Sequence, residues 1–568
     1  MNAPRIPGND YGVLSPPAPG AWEPRLPVSV VIPARAHQEK LDLTLAALAA
    51  QTYPSHLLEV IVVDDGSAPP LRLPEIVPDN TRLLRVPDGR WGIAWALETG
   101  TAAAGGEVIH RMDADIVACR DHVEAHMRWH HLADYLVVLG TLRFTAMAGT
   151  PPTASEVQIA VAKDRTDSLF DPDPDHGHDW IAELVAAHRD FRDAPSPLLH
   201  RVHVGATVSL PAALLKAAGG MDTSLRLGED TELGYRLTQT GAVFVPDAEA
   251  LGWHLGTTTA MRRPGEVRRH NDPFIADRVP YRRNLRSEGG RQWLVPYVDV
   301  VVDARDASFE DVRASVDGAL ASTLPDVHVT LTGPWASLTG ERRAPLDDPL
   351  LDLRLVHGQY AHDGRVSFVE RVPPTSLPAP FRLTCPAGWV PGAESLAMLI
   401  RQADEDDEGL LLVALEENGS GVVAARLERT AAVARALRLA RDGESLDDVI
   451  ADLYGATWLD AESWRFRPTA AAYPVWATDR NREAVRWRAE AESRRREAER
   501  AQRQVTALKS ELKELRAAAA KGSRDTVRWK EKAEQRRLEA VALRQAQERS
   551  LLRRAARRLR GLTEGPAG

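Results

Sequence analysis

The spacing of apolar and polar positions divides this chain into three stretches with different periods. Val28-Ser-Val-Val-Ile-Pro33 is a short apolar run stopped by proline, and Leu41, Leu45, Leu48 and Ala49 then recur at helical spacing. Val60-Ile-Val-Val63 reads as a second buried strand and Arg82-Leu-Leu-Arg-Val86 as a third. Ala94 to Ala104 has a helical pattern ended by Gly105-Gly106, and Glu107 to Met112 follows as a strand. This alternation predicts an α/β domain over residues 28–285, built on a mostly parallel sheet with crossover helices.

A second strand–helix–strand pattern opens with Val298-Asp-Val-Val-Val302, Phe309 to Leu320 and Val327 to Leu331, and predicts another α/β domain over 293–475. It reads either as a degenerate internal repeat of the first or as an unrelated α/β unit. From 479 to 560 the chain is rich in Ala, Glu, Arg and Lys and has no proline. There Val505, Leu508, Leu512 and Leu515 keep the 3-4-3 spacing of a coiled-coil seam on one long helix. Gly522 interrupts that seam, and Leu538 and Val541 resume it weakly. Residues 1–27, rich in Pro and Gly, are expected to form a disordered leader.

Acids fall where these strands end. The second strand runs into Asp64-Asp65-Gly66 and the strand ending at Met112 into Asp113-Ala114-Asp115, while Gly228-Glu229-Asp230-Thr231-Glu232-Leu233 lies far downstream. In an open α/β sheet ligands bind beyond the carboxyl ends of the strands, so acids delivered there suit a cation on a phosphorylated ligand. The third acidic site supplies what proton transfer needs. Plainer readings stand beside these: Asp-Asp-Gly as a turn, Asp113-Ala-Asp115 as the cap of a helix near Arg120, and Glu229-Asp230 as the cap of a helix through Leu237. The segment Asp171-Pro-Asp-Pro-Asp-His-Gly-His-Asp179 is expected to be a mobile acidic loop, and Trp180 is either a sugar platform or a core aromatic.

Composition narrows the class. With 568 residues, 44% hydrophobic and 27% charged, the chain is expected to be a soluble protein of several domains. No run approaches the roughly 18 apolar residues of a membrane helix. Two cysteines, Cys119 and Cys385, build no disulfide framework, and with no signal-peptide pattern at the start the expected setting is cytoplasmic. The net charge of −9 hides an asymmetry: of 71 Lys and Arg and 80 Asp and Glu, residues 481–560 hold 25 and 12. This basic tail, ending Arg553-Arg-Ala-Ala-Arg-Arg-Leu-Arg560, has three candidate partners: an anionic surface at the inner face of the membrane, an acidic protein, and a second copy of itself. A solvated helical extension is the plain alternative. Nucleic acid is set aside, since aromatic interleaving is sparse.

Taken together, Val28-Ser-Val-Val-Ile-Pro33, Val62-Val-Asp-Asp-Gly-Ser67, Met112-Asp-Ala-Asp115 and Gly219-Gly-Met-Asp222…Gly228-Glu-Asp-Thr-Glu-Leu233 resemble the family 2 glycosyltransferases of the GT-A fold. The resemblance covers residues 28–260 and implies roles by matching position. Asp65 is then expected to accept a hydrogen bond from the nucleobase, with Pro33, Ala34 and Arg35 walling the same pocket. Asp115 would bind a divalent ion, Mg²⁺ or Mn²⁺, and Asp113 the ribose or the metal shell. Asp230 matches the catalytic base, with Glu229 beside it at the donor. His254 becomes a candidate metal or phosphate ligand, although its residue type alone fits a core or solvent-facing histidine equally well.

One stretch departs from the family. Where many members carry Gly-X-X-X-Ala-Arg-Asn, this chain has Gly92-Ile-Ala-Trp-Ala-Leu-Glu98, and Arg111 is the candidate replacement cation near the phosphates. The resemblance thus implies an inverting, metal-dependent transfer from a nucleotide-sugar donor, a uridine diphosphate sugar, to a glycan or glycolipid acceptor in cell-surface polysaccharide or glycoconjugate synthesis. The rival reading is a non-catalytic, transferase-like scaffold that organises partners through its coiled tail. A nucleotidyltransferase is a third, weakened because Pro33-Ala-Arg-Ala-His37 lacks a glycine-rich phosphate loop.

Overall fold

Val28–Ala34 (β1) is buried at every position but Pro33, because strands lie on both sides of it and helices cover both faces. It pairs in parallel with Leu58–Asp64 (β2) on one side and Val108–Met112 (β4) on the other, and Asn80–Arg85 (β3) extends the sheet beyond β2. Thr207–Pro211 (β7) joins β4 antiparallel. Leu136–Thr145 (β6) joins β7 antiparallel and Val243–Leu255 (β8) in parallel, and Ile116–Ala118 (β5) closes the far edge against the end of β8. The order β3-β2-β1-β4-β7-β6-β8-β5 puts the ends of β2, β1 and β4 side by side at one edge. The computed structural model describes residues 3–147, 150–173, 176–286, 291–419, 421–469, 500–511 and 530–541.

The second lobe repeats this plan. Val298–Asp303 (β9), Val327–Thr332 (β10), Val366–Val369 (β11), Phe381–Thr384 (β12), Trp389–Pro391 (β13), Leu410–Asn418 (β14), Gly421–Arg429 (β15), Ala456–Asp460 (β16) and Phe466–Pro468 (β17) are its strands. Seven of them form a sheet in the order β11-β10-β9-β12-β15-β14-β16, and β13 pairs with β17. Each pairing has the direction of its counterpart in the first sheet: β9 parallel to β10 and β12, β15 antiparallel to β12 and β14, β16 parallel to β14. β16 and β17 stand where the two halves of β8 stand, and β13 takes the place of β5.

The segment expected to be a disordered leader is folded from residue 3 onward. Its proline content misled the reading. Three apolar anchors, Ile6, Tyr11 and Trp22, give it surface to bury, and its polar groups find partners elsewhere in the fold. Asn9 is buried, donates to the carbonyls of Phe191 and Phe244 at 2.9 Å each, and accepts from Phe244 N at 2.8 Å. The fully buried Arg435 of the second lobe donates to Ile6 O (3.0 Å), Gly8 O, Gly241 O (2.7 Å) and Ala242 O (3.0 Å), joining the leader to both lobes.

Residues 473–568 form a separate unit, of which 500–511 and 530–541 are helical. Val505, Leu508, Leu538 and Val541 are exposed on these helices, while Leu512, Leu515 and Gly522 lie outside the described residues. Among the described residues no helix is long and apolar enough to cross a membrane.

Asn9→Ala removes three buried hydrogen bonds at once and is expected to destabilise the fold by about 1–3 kcal/mol. A urea titration followed by tryptophan fluorescence reads this as a lower midpoint. An unchanged midpoint would detach the leader from the core.

Candidate functional site

The parallel pairing of β2, β1 and β4 decides where the acids emerge. Asp64 is the last residue of β2 and Asp113 follows β4, one on each side of the end of β1, so the two loops stand about 10 Å apart across it. Asp64 is structural: it is buried and accepts from Ser67 N (2.8 Å) and Leu71 N (3.2 Å). Burial pushes its carboxyl up, but hydrogen bonds from the Ser67 side chain and from the Ser67 and Leu71 backbone outweigh burial and hold it below the usual range. Asp65 N donates to Ala34 O at 2.9 Å, and both carboxylate oxygens accept from Gly92 N at 2.8 and 3.0 Å. One N–H shared by two oxygens leaves lone pairs open to a ligand. Pro33 is half-buried, Ala34 buried and Arg35 exposed. Beside Gly92, Trp91 is 54% exposed and stacks under the Arg226 guanidinium, 4.4 Å from the ring centre.

Asp113, Asp115 and His254 converge. One ligating atom from each lies within 4.8 Å of the other two. β5 brings this about: its first residue, Ile116, pairs with His254 on β8, so the residue before the strand meets that histidine. His254 Nε2 is 3.4 Å from Asp115 Oδ1, and its Nδ1–H donates to Gly256 O at 2.7 Å, which turns the Nε2 lone pair toward the acids. Lys40 Nζ sits 3.2 Å from Asp115 Oδ2. Asp113 Oδ1 is shielded without a hydrogen-bond partner, although the side chain as a whole is 29% exposed. Burial pushes Asp113 up to about 7; Arg111 opposes that and the neighbouring acids add to it. Two carboxylates and an imidazole with an unmet oxygen fit a divalent cation. Asp113-Ala-Asp115 is not a helix cap: the next helix, His122–His130, is preceded by Asp121.

The third acidic site is the first turn of the helix Glu229–Gln239, whose amino-terminal dipole favours its acids. Glu229 is buried, and Arg111 Nη2 donates to its Oε1 at 3.0 Å while lying 3.9 Å from Asp113 Oδ1. Burial, then Asp230, pushes Glu229 up to about 6. Arg111 and Glu229 were both expected to face the donor. In the structure they form a buried pair with each other, the guanidinium filling the space where Gly205 has no side chain: a Cβ there would lie 2.3 Å from Arg111 Nη1. Asp230 is half-buried and accepts from Thr231 N at 2.7 Å, and its backbone carbonyl accepts from His203 Nδ1 at 2.7 Å. Its charge is felt at Arg111, Asp113 and His178. No hydrogen bond or ion pair among the described residues joins Asp65 to Asp113, Asp115 or Asp230.

Sequence reasoning missed Lys40, His178 and His203. Lys40 lies on the first turn of the helix Gln38–Leu48, just past the β1 loop, and that position was its only signal. His178 belongs to the segment read as a mobile loop, of which Pro174 and Asp175 lie outside the described residues. Its ring packs on Phe144 at 4.9 Å, Phe144 stacks on His254 at 4.8 Å, and burial pushes it down to about 4. Trp180 is exposed. Glu98, at the departure from the family pattern, accepts from Met221 N at 3.1 Å and so anchors the Gly219-Gly220 turn.

The Glycosyl transferase family 2 model matches residues 29–188. The first lobe carries a family 2 glycosyltransferase domain. Over 245 residues the chain is 30% identical to validoxylamine A glucosyltransferase of Streptomyces hygroscopicus subsp. limoneus, covering 42% of this chain and 53% of that one. Over 234 residues it is 27% identical to pre-mycofactocin glycosyltransferase of Mycobacterium tuberculosis (strain CDC 1551 / Oshkosh), covering 40% and 42%. The chain thus spans about half the length of the curated relatives it matches. A likeness extends to mannosyltransferase PcManGT from Pyrobaculum calidifontis, solved with GDP-Man and Mn²⁺, at 20% identity and a TM-score of 0.30, covering 46% of this chain and 66% of that one.

The paired registers give the second-lobe positions that correspond to these candidate residues. There Asp113, Asp115 and His254 correspond to Pro386, Gly388 and Pro468, and Asp65 to Pro334. Arg111→Met in the transferase domain would leave Glu229 buried without its cation and is expected to destabilise by about 3–5 kcal/mol. A calorimetric or urea measurement showing wild-type stability would mean that the pair does not form.

Proposed function

We propose that this chain is a metal-dependent, inverting glycosyltransferase that moves a sugar from a nucleotide diphosphate sugar to a hydroxyl acceptor. The observation that carries this reading is the meeting of Asp113, Asp115 and His254 beside the Asp230 turn, with no hydrogen bond made to Asp113 Oδ1. Asp65, with lone pairs open beside the end of β1, suits the N–H edge of a nucleobase, and uracil is the base proposed. Asp113, Asp115 and His254 would hold Mg²⁺ or Mn²⁺, which supplies neutralisation of the diphosphate oxygens as the bond to the sugar breaks. Asp230 takes the proton of the acceptor hydroxyl as that oxygen attacks the anomeric carbon. The nucleotide diphosphate departs from the opposite face with the bonding electron pair, so configuration inverts. The buried Arg111–Glu229 pair and the His203 hydrogen bond to Asp230 O hold the base turn in place.

The proposed acceptor is a hydroxyl of cell-surface polysaccharide or glycoconjugate, reached from the cytoplasmic side with the basic tail against anionic lipid. The relatives' names support sugar transfer in general rather than a polymer acceptor. The second lobe is proposed to be a degenerate copy of the first, its cation ligands replaced by proline and glycine.

Asp230→Asn is expected to keep nucleotide-sugar binding near wild type while abolishing transfer. Asp115→Ala is expected to remove the Mn²⁺-dependent part of donor binding. Thermal-shift titration of nucleotide sugars with and without Mn²⁺ reads binding, and release of nucleoside diphosphate to an acceptor reads transfer. Normal transfer by both variants would refute the site.

A further inference from the structure

A second group of metal-ligating side chains lies one layer below the acids, and the proposed reaction does not use it. His110 is on β4, three residues before Asp113, and His122 and His126 are one turn apart on the helix His122–His130. All three are fully buried, and one nitrogen from each lies within 4.8 Å of the other two. Their Nε2 atoms converge on a single point, the Thr207 hydroxyl of β7, at 3.0, 2.8 and 3.3 Å.

We propose that His110, His122 and His126 hold a divalent first-row transition metal ion, zinc foremost, in a closed structural site with Thr207 Oγ1 at the fourth position. Imidazole nitrogen suits zinc, and two histidines at i and i+4 share one helix face. Outer partners already orient two of the rings. His122 Nδ1–H donates to Leu251 O at 2.9 Å, leaving its Nε2 lone pair facing inward, and Ser209 Oγ meets His126 Nδ1 at 2.9 Å. Rings buried this deeply stay neutral, as ligation requires. The Thr207 hydroxyl can donate to the His122 Nε2 lone pair and accept from the other two rings when they carry their proton on Nε2. With the proton on Nδ1 instead, all three Nε2 lone pairs face one point, the arrangement a cation takes. The ligand atoms of a filled tetrahedral zinc site stand about 3.4 Å apart. Small ring rotations and a turn of Thr207 would close the remaining distance.

Such an ion would have a mechanical part to play. Thr207 pairs with Met112, the residue before Asp113, and Asp113 N donates to Ala206 O at 2.9 Å. A metal at this point would therefore tie the His122 helix, β4 and β7 together directly beneath the acids.

The test is metal analysis of the full chain, expressed with zinc and dialysed against EDTA, by inductively coupled plasma mass spectrometry. One zinc per chain is expected in both the wild type and Asp115→Ala, and its loss in His126→Gln. Because a buried histidine variant can fail to fold, the wild-type chain is also refolded with Co²⁺ in place of zinc. Intense visible ligand-field bands of tetrahedral cobalt, surviving Asp115→Ala, support the site. Wild-type chain that takes up neither zinc nor cobalt beyond what Asp115→Ala abolishes would overturn it and leave the three rings as a hydrogen-bonded network only.

Discussion

The candidate site is built around one buried cation. Arg111 leaves β4 two residues before Asp113, enters space open only because Gly205 lacks a side chain, and reaches Glu229 at the start of the Asp230 helix. A guanidinium sealed from water has to meet carboxylates, since an unpaired buried charge costs several kcal/mol. The strand that ends in the proposed metal ligands and the helix that carries the proposed base are therefore held in one relative position. Asp230, next in the chain to Glu229, inherits its place from that pair. The fit is two-sided: Glu229 is raised by burial and steadied by Arg111, while Arg111 is penalised by burial and held charged chiefly by Glu229.

How much of this was legible depended on whether a residue's partners were near in sequence or far. β1, β2 and β4 could be read because strands covered on both faces are apolar throughout, and the acids after them stood out by contrast. The Asp230 turn was readable for a similar reason, with a glycine and three acids opening a helix. Lys40, His178 and His203 were not, since each matters through a partner 27 to 76 residues away and none breaks a local pattern. Arg111 was seen, but its pairing with Glu229 was not: nothing local shows that Gly205 would make room for it. The leader failed differently, because Pro-rich composition signals weak local order and is silent about a waiting surface. Asn9 and Ile6 are held by residues more than 180 positions away.

The second lobe has the scaffold of the first without its acids. Strand order and direction repeat throughout, and even the short β13–β17 pair is kept where β5 meets the end of β8. The two lobes differ in the side chains at the candidate-site positions, most of them just past strand ends. Proline and glycine at the corresponding positions offer no ligand atom, so this lobe keeps the loops without the chemistry. Its preserved core instead supplies the surface that receives the leader.

The four carbonyls gathered by Arg435 reach that conclusion from the side of folding. Ile6 and Arg435 are separated by 429 positions, so this closure is among the last that a chain emerging from the ribosome can make. Until then the seam at Tyr135, Val243 and Val245 lacks its second-lobe cover, and the early segment has only its first-lobe partners, among them Trp129, Phe191 and Phe244. Synthesis runs from Val245 to Leu410 before the second lobe can begin to cover that strip. The segment from Ile6 to Tyr11 thus completes its set of partners only once both lobes are present.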